Sequence, residues 1–424
     1  VLMALLFARL GLGRWIGIGL AAVFIFSADL LLIEYHTWGH FFYEISTMLL
    51  CVLAAHAALG IARRPGAWAA LLLGLWVALL ALTRATYSYF FIPALLWLLL
   101  APGTRRPSVL AAFLLPVIIL HGGWSLKNYV VHGYWSLTTS SWGGSNAYTG
   151  DGMRHGSQAR FRQWAGEMPD LCPQPWQDML QQLPPYIFFI KIFDPAEKLP
   201  VPQRVIEHDE HIERERGQRV GLDTLALRDL SYCLQGAYMR YWLQDPLSVI
   251  ASSWHSYQLF WLPVRQFNVM HSNPIQPVMP VFEPQPHPGQ SLRAAWAEVT
   301  DSAYRMLQRE IGFTETKPHE LVPITLLVIP VLPLLMHVAN TLTIHLLPLL
   351  AIFAYVQRGR KEAIPWPAGF SFLVLLYLYL AALSNLVEYG ENMRFRLEIE
   401  PVIWMITAVC LHRVWQLCRS RSSG

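Results

Sequence analysis

Phe41-Phe-Tyr-Glu44-Ile-Ser-Thr-Met-Leu-Leu-Cys51-Val-Leu-Ala-Ala-His56-Ala-Ala-Leu-Gly-Ile-Ala62 carries one charged side chain, Glu44, and is followed at once by Arg63 and Arg64. A helix needs about 20 mostly apolar residues to cross a bilayer, and this block supplies them. Similar blocks flank it. Trp15–Ile33 precedes it. Gly66–Thr83, Tyr87–Ala101 and Ser108–Trp124 follow it. Past a long polar stretch come Val322–Val356, Trp366–Ser384 and Val402–Leu417. Composition agrees: the chain is 54% hydrophobic and 14% charged over 424 residues, with mean hydropathy +0.34. An ordinary soluble domain carries roughly 25% charged residues. The 17 Trp and 20 Phe exclude a disordered or fibrous chain. A net charge of +4 gives no reason to expect a nucleic-acid partner. The pattern predicts an all-α polytopic membrane protein.

Lys and Arg in short loops set the orientation. Arg9 and Arg14, Arg63 and Arg64, Arg105 and Arg106, Arg358 to Lys361, and Arg413, Arg419 and Arg421 all fall on one side if the blocks alternate. That side is expected to be the cytoplasm. Glu34–His40, Arg84–Thr86, Lys127–Glu320 and Asn385–Glu400 then face outward. The chain divides into membrane helices over 1–126, a large outer segment over 127–320, and membrane helices with a cytoplasmic tail over 321–424. Val1–Phe7 is too short to span and lacks a basic leader; it reads as the end of a helix that starts further upstream. Leu321–Val356 has no charged residue, yet one straight helix of that length would run about 54 Å. Two spans with a turn near Asn340 would fit the length but put Arg358–Lys361 outside; one crossing plus an outer helix, broken near Pro330 and Pro333, keeps them inside.

The outer segment is mixed and mainly helical. Gly133–Gly152 is rich in Gly, Ser and aromatics and reads as loop. Ile206–Gln244 is helix-forming up to a break at Asp245-Pro246, and Pro246–Leu262 continues as an apolar helix. Cys172 and Cys233 both lie outside, where a disulfide is permitted; spacing alone leaves open whether they meet. Cys51, Cys410 and Cys418 read as inert thiols.

Ionisable groups at membrane depth are costly, so each is a functional candidate. Glu44 is either an interfacial carboxylate or a general base, metal ligand or sugar hydrogen-bond partner. Arg84, at the outer end of its block, is either an ordinary interfacial arginine or one that binds a lipid phosphate through its fork. Glu34, His36 and His40 share an outer loop near Glu44 and could hold a divalent ion; no other cofactor is expected. Glu388-Tyr-Gly-Glu391-Asn-Met-Arg394-Phe-Arg396-Leu-Glu-Ile-Glu-Pro401 is the densest charge cluster beside a membrane block. It reads either as a solvated loop or as part of a site, and Arg396 and Glu400 stand at the entrance to a span. His208-Asp-Glu-His211 reads as a solvated helix face, and His337 and His345 as packed histidines.

Four stretches in order resemble the GT-C-fold membrane glycosyltransferases. The likeness is to the bacterial branch related to dolichyl-phosphate-mannose–protein mannosyltransferases and the lipid A aminoarabinose transferase. They are Phe41-Phe-Tyr-Glu44; Leu82-Thr-Arg84, with Ala85 where the family usually has Pro; Leu126-Lys-Asn-Tyr129 with Gly143-Gly-Ser-Asn146-Ala-Tyr148-Thr-Gly150; and Arg394-Phe-Arg-Leu397 leading to Pro401. The resemblance implies a GT-C-like helix bundle in a bacterial inner membrane. It implies transfer of a sugar from a polyprenyl-phosphate carrier to a glycan, lipid or protein acceptor on the outer face. Glu44 would be the second acidic site. Arg84 and Arg396 would bind phosphate, with Lys127 a further candidate after them, and Arg394 would bind substrate. Asn128, Asn146, Tyr148 and Glu388 would line the substrate pocket. The family's main catalytic Asp would precede Val1, so this chain alone is expected to be inactive. Two other classes stay open: a transporter or flippase of lipid-linked sugars, and a non-catalytic membrane protein that binds a partner through its outer segment.

Overall fold

The computed structural model describes residues 1–25, 38–132, 135–137, 225–260, 339–340, 342–346, 369–387, 395–396 and 398–422. Among these, all regular structure is helical. The helices are α1 (Leu2–Arg9), α2 (Arg14–Ile25), α3 (Trp38–Arg63), α4 (Ala67–Thr83), α5 (Phe91–Leu100), α6 (Pro107–Pro116), α7 (Gly123–His132), α8 (Leu225–Gln244), α9 (Pro246–Phe260), α10 (Phe370–Val387) and α11 (Glu400–Ser422). A 3-10 turn, Ala85–Tyr87, follows α4, and a π turn, Val117–Gly122, joins α6 to α7. Ile45–Arg63 and Pro107–Val131 are long and apolar enough to cross a membrane, each with mean hydropathy 2.0.

Where their residues are described, the apolar blocks predicted from the sequence are helical, with one difference. Tyr87–Ala101 is not one long helix. Its helical part, α5, rises about 15 Å, half of a ~30 Å hydrocarbon core. Hydropathy does not register the turn that Arg84 to Phe90 makes before α5 starts. Leu321–Val356 falls mostly outside the described residues.

Residue size explains the packing. Ala70, Gly74 and Ala78 recur every fourth position of α4 and are buried. That stripe of small side chains lets α6 approach closely. A Cβ on Gly74 would run into the Phe113 carbonyl and lie 2.9 Å from Pro116 Cγ. Pro116 has no N–H to give to the helix ladder, and the π turn that follows absorbs the break. There His121 Nε2 lies 2.9 Å from the Ser88 carbonyl, tying the turn to the start of α5. On α10, Phe372, Leu373, Leu376, Tyr377, Leu380 and Ala381 are buried with helical period. On α11, Val402 to Cys410 is buried on every side, so this helix is central.

Long-range contacts define two ends. At one, the Arg63 guanidinium donates to the Arg9 carbonyl, His56 Nε2 lies 2.9 Å from the Leu2 carbonyl, and α11 passes the Leu10-Gly11 turn. At the other, Tyr379 donates to the Thr86 carbonyl at 2.7 Å and Tyr238 to the Leu386 carbonyl at 2.7 Å. The arginine turns at Arg9, Arg63 and Arg413 gather at the first end, and Arg84 stands at the second, as the alternation of blocks predicts. Asp245 breaks α8 from α9 as expected: its carboxylate accepts the Ser248 N–H at 3.2 Å, an N-cap with Pro246 at the first helical position.

Candidate functional site

Arg84 ends α4 in extended backbone, φ −141° and ψ 126°. That geometry turns its side chain off the helix axis and toward the segment before α11. The Arg84 guanidinium pairs there with the Glu398 carboxylate. It also sits over the Phe395 ring, 5.5 Å from the centroid, a cation–π contact. Glu398 has no exposed surface, while the Arg84 side chain keeps 13%.

A second pair lies beside the first. Arg396 Nε is 3.2 Å from Glu400 Oε2, and the Arg396 side chain is fully buried. The spacing of four residues puts the two side chains on one face of a helical turn. Glu400 is the acidic residue in the first turn of α11, where the helix dipole favours a carboxylate. Glu400 Oε1 accepts two further hydrogen bonds, from Asn340 Nδ2 at 3.2 Å and from Trp404 Nε1 at 3.0 Å. Two arginines, two glutamates, a buried asparagine and an indole N–H from three parts of the chain thus form one polar cluster. It lies at the end of an otherwise apolar bundle.

Below it, Cys51 Sγ is 3.7 Å from the Tyr87 hydroxyl, and Tyr87 and Phe90 pack against Tyr379. This layer of fully or largely buried rings separates the ion pairs from the core. To the side, the Tyr257 and Tyr377 hydroxyls are 3.0 Å apart, and the His345 ring meets Tyr257 edge-on at 5.6 Å. His345 is exposed, so the packed histidine expected from the sequence is met only by this one ring contact.

Of the residues singled out in the sequence, Arg84 and Arg396 are brought to one place. Lys127 and Asn128 lie on α7. Lys127 is exposed, with Nζ 4.1 Å from the centre of the Trp124 ring. Asn128 is buried and donates from Nδ2 to the Ser136 carbonyl at 2.7 Å. Glu44 and His40 fall within α3, but their side chains lie outside the described residues, as do Glu34, His36, Asn146, Tyr148, Glu388 and Arg394. His208 to His211 and His337 lie outside too. Among the described residues no group of His, Cys, Asp or Glu could hold a metal ion; the Glu34, His36 and His40 trio is not among the residues in view. Cys233, on α8, is disulfide-bonded, and its partner lies outside the described residues. Cys51 and Cys410 are free, buried thiols.

Sequence reasoning passed over Glu398 and Trp404, noted Asn340 only as a possible turn, and noted Glu400 only for its place at a span entrance. A signal was present. Two carboxylates on alternate positions before an apolar helix need cations, and Arg396 offers one at the right spacing. No protein-family model, curated protein or solved structure matches the chain.

Proposed function

We propose that this protein is an integral membrane glycosyltransferase of the GT-C type. It would take a sugar from a polyprenyl-phosphate carrier and pass it to a glycan, lipid or protein acceptor on the outer face of a bacterial inner membrane. One observation carries the reading. Leu82-Thr-Arg84 and Arg394-Phe-Arg-Leu397 are two of the stretches on which the family resemblance rests, and Arg84 meets Phe395 and Glu398 directly. A second observation supports the membrane. Leu96, Leu99, Leu100, Leu115, Ile118 and Ile119 are exposed on neighbouring helices, an apolar surface that suits lipid better than water.

In this reading the acceptor hydroxyl loses its proton to a base and attacks the anomeric carbon. The bond from that carbon to the carrier phosphate oxygen breaks, and the phosphate leaves with the bonding pair. The developing charge needs a fixed cation in a water-poor site. Arg84, which keeps some exposed surface, is the arginine that would meet the phosphate. Arg396, fully buried against Glu400, would hold the loop that positions it. Glu44, in the first turns of α3, would be an acidic group of the acceptor side.

The test is sugar transfer by membranes that contain the protein expressed from its whole gene, any upstream coding sequence included, with a panel of polyprenyl-phosphate sugars. Arg84→Lys keeps a charge for Glu398 but loses the bidentate fork. Its carrier KM should rise by roughly tenfold or more, and an unchanged KM would remove Arg84 from the phosphate. Glu44→Gln should abolish transfer in protein that still folds, whereas unchanged turnover would remove it from the site. Single cysteines placed at Gly150 and Glu391 should react with an impermeant thiol reagent from outside, and one at Arg63 should not. The reverse pattern would overturn the orientation.

A further inference from the structure

From Pro246 to Val264 the chain has 19 residues with no Asp, Glu, Lys or Arg, although they lie in the long polar stretch between the membrane blocks. Their helical part is α9, and it is apolar on two faces. Val249 and Ser253 are buried and Tyr257 packs against the core, one stripe at helical spacing. Leu247, Ile250 and Trp254 form the opposite stripe, and all three are exposed. A helix without charge and apolar on both faces suits a protein core or a bilayer better than water.

Hydrogen bonds fix where α9 lies. α10 starts toward the Arg63 end, where Gly369 meets Leu59 and Ser371 Oγ accepts from Trp97 Nε1 at 2.9 Å. It finishes toward the Arg84 end, where Tyr238 of α8 donates to the Leu386 carbonyl at 2.7 Å. One turn further along α8, the Tyr241 hydroxyl is 3.2 Å from Ser248 Oγ, in the first turn of α9. Near the other end of α9, the Tyr257 hydroxyl is 3.0 Å from that of Tyr377. Ser248 and Tyr257 are nine positions apart, and so are Tyr377 and Leu386, about 14 Å along each helix. Equal spans with contacts at both ends mean that α9 runs antiparallel along α10. Tyr377 is also two positions nearer the Arg63 end than Tyr379, which donates to the Thr86 carbonyl beside Arg84. So α9 passes the level of the ion pairs and finishes below it. Leu378, the neighbour of Tyr377, is exposed, which makes the stripe on α9 continuous with the apolar outside of the bundle. We infer that α9 is a membrane-inserted helix, entering beside α10 from the Arg84 end, with Leu247 among lipid headgroups and Trp254 among acyl chains. An indole near that boundary suits its amphipathic ring. Pro246–Phe260 then belongs to the membrane part of the chain, not to the outer segment in which its place in the sequence puts it. The inference rests on the membrane reading alone and is independent of sugar transfer.

The experiment is photolabelling of the protein expressed from its whole gene and reconstituted in phosphatidylcholine vesicles, with adducts mapped to residues by mass spectrometry. No substitution is needed, so folding is not at issue. Three diazirine reagents are compared: one in the middle of a lipid acyl chain, one on a lipid headgroup, and one that is water-soluble and impermeant. The expected result is a gradient along α9. The acyl reagent labels Trp254 as heavily as Leu378, the headgroup reagent labels Leu247, and the aqueous reagent leaves Trp254 unlabelled. Trp254 labelled by the headgroup reagent alone would make α9 a helix lying on the surface and would overturn the inference. Trp254 labelled by the aqueous reagent would overturn it as well. Trp254 untouched by all three, with Leu378 still taking the acyl label, would show that another part of the protein covers this face, which also overturns it. If Leu378 takes no acyl label either, the membrane reading fails and the inference fails with it.

Discussion

Glu400→Ala is expected to destabilise the fold by about 3–5 kcal/mol, the cost of leaving one partner of a buried ion pair unmatched. The substitution takes the carboxylate from Arg396, which has no exposed surface, and from the N–H groups of Asn340 and Trp404. Arg396→Met alone should also destabilise, because it takes a cation from beside Glu400. Arg396→Met combined with Glu400→Leu should cost clearly less than the sum of the two single changes, since apolar replacement of a whole buried pair is often nearly neutral. Denaturant titration in detergent checks this. Additive costs would mean that the two residues do not act as a pair.

Gly74→Ala should be nearly as severe, about 3 kcal/mol, at the top of the range for overpacking, and Gly74→Val should prevent the native fold. The added Cβ meets backbone, the Phe113 carbonyl, and the rigid Pro116 ring 2.9 Å away. Neither is the loose end of a side chain, so α4 and α6 must separate. Gly60→Ala is the control. Its Cβ would meet only Ala69 Cβ at 3.9 Å, an ordinary contact, and helix propensity predicts a small gain of about 1 kcal/mol or less. Equal effects at the two glycines would show that α4 and α6 are not in close contact.

Much of this was legible in the sequence because the relevant signals are local. Runs of apolar residues between arginine turns gave α3, α4, α10 and α11 and assigned their ends. The Asp245-Pro246 break fell where a cap and a first-turn proline put it. Arg84 and Arg396 were found because charge beside an apolar block is costly wherever it occurs. Their partners were harder to see. Nothing near Arg84 in sequence marks Glu398 as its counter-ion. The contact depends on α4 and α11 ending at the same level, and Tyr379 reaches Thr86 across 293 positions to help set that level. Asn340 was read only as a possible turn in an uncharged run, whereas it donates to Glu400. The block Tyr87–Ala101 misled because hydropathy averages over the turn before α5. Glu44, Asn146, Tyr148, Glu388 and Arg394 stay expectations, since their side chains are not among those described.

The pairing of both arginines with glutamates also bears on chemistry. A neutral cluster attracts an anion less than bare arginines would. Carrier binding at Arg84 therefore depends on the fork reaching past Glu398, and it should weaken as salt screens the attraction between the guanidinium and the carrier phosphate. The most direct measurement is native mass spectrometry of the purified protein with polyprenyl phosphate, using the uncharged polyprenol as reference. The account predicts a one-to-one complex with the phosphate that is much weaker with the polyprenol. Arg84→Lys should reduce it. Equal binding of phosphate and polyprenol, or full binding by Arg84→Lys, would contradict a carrier-phosphate site at Arg84.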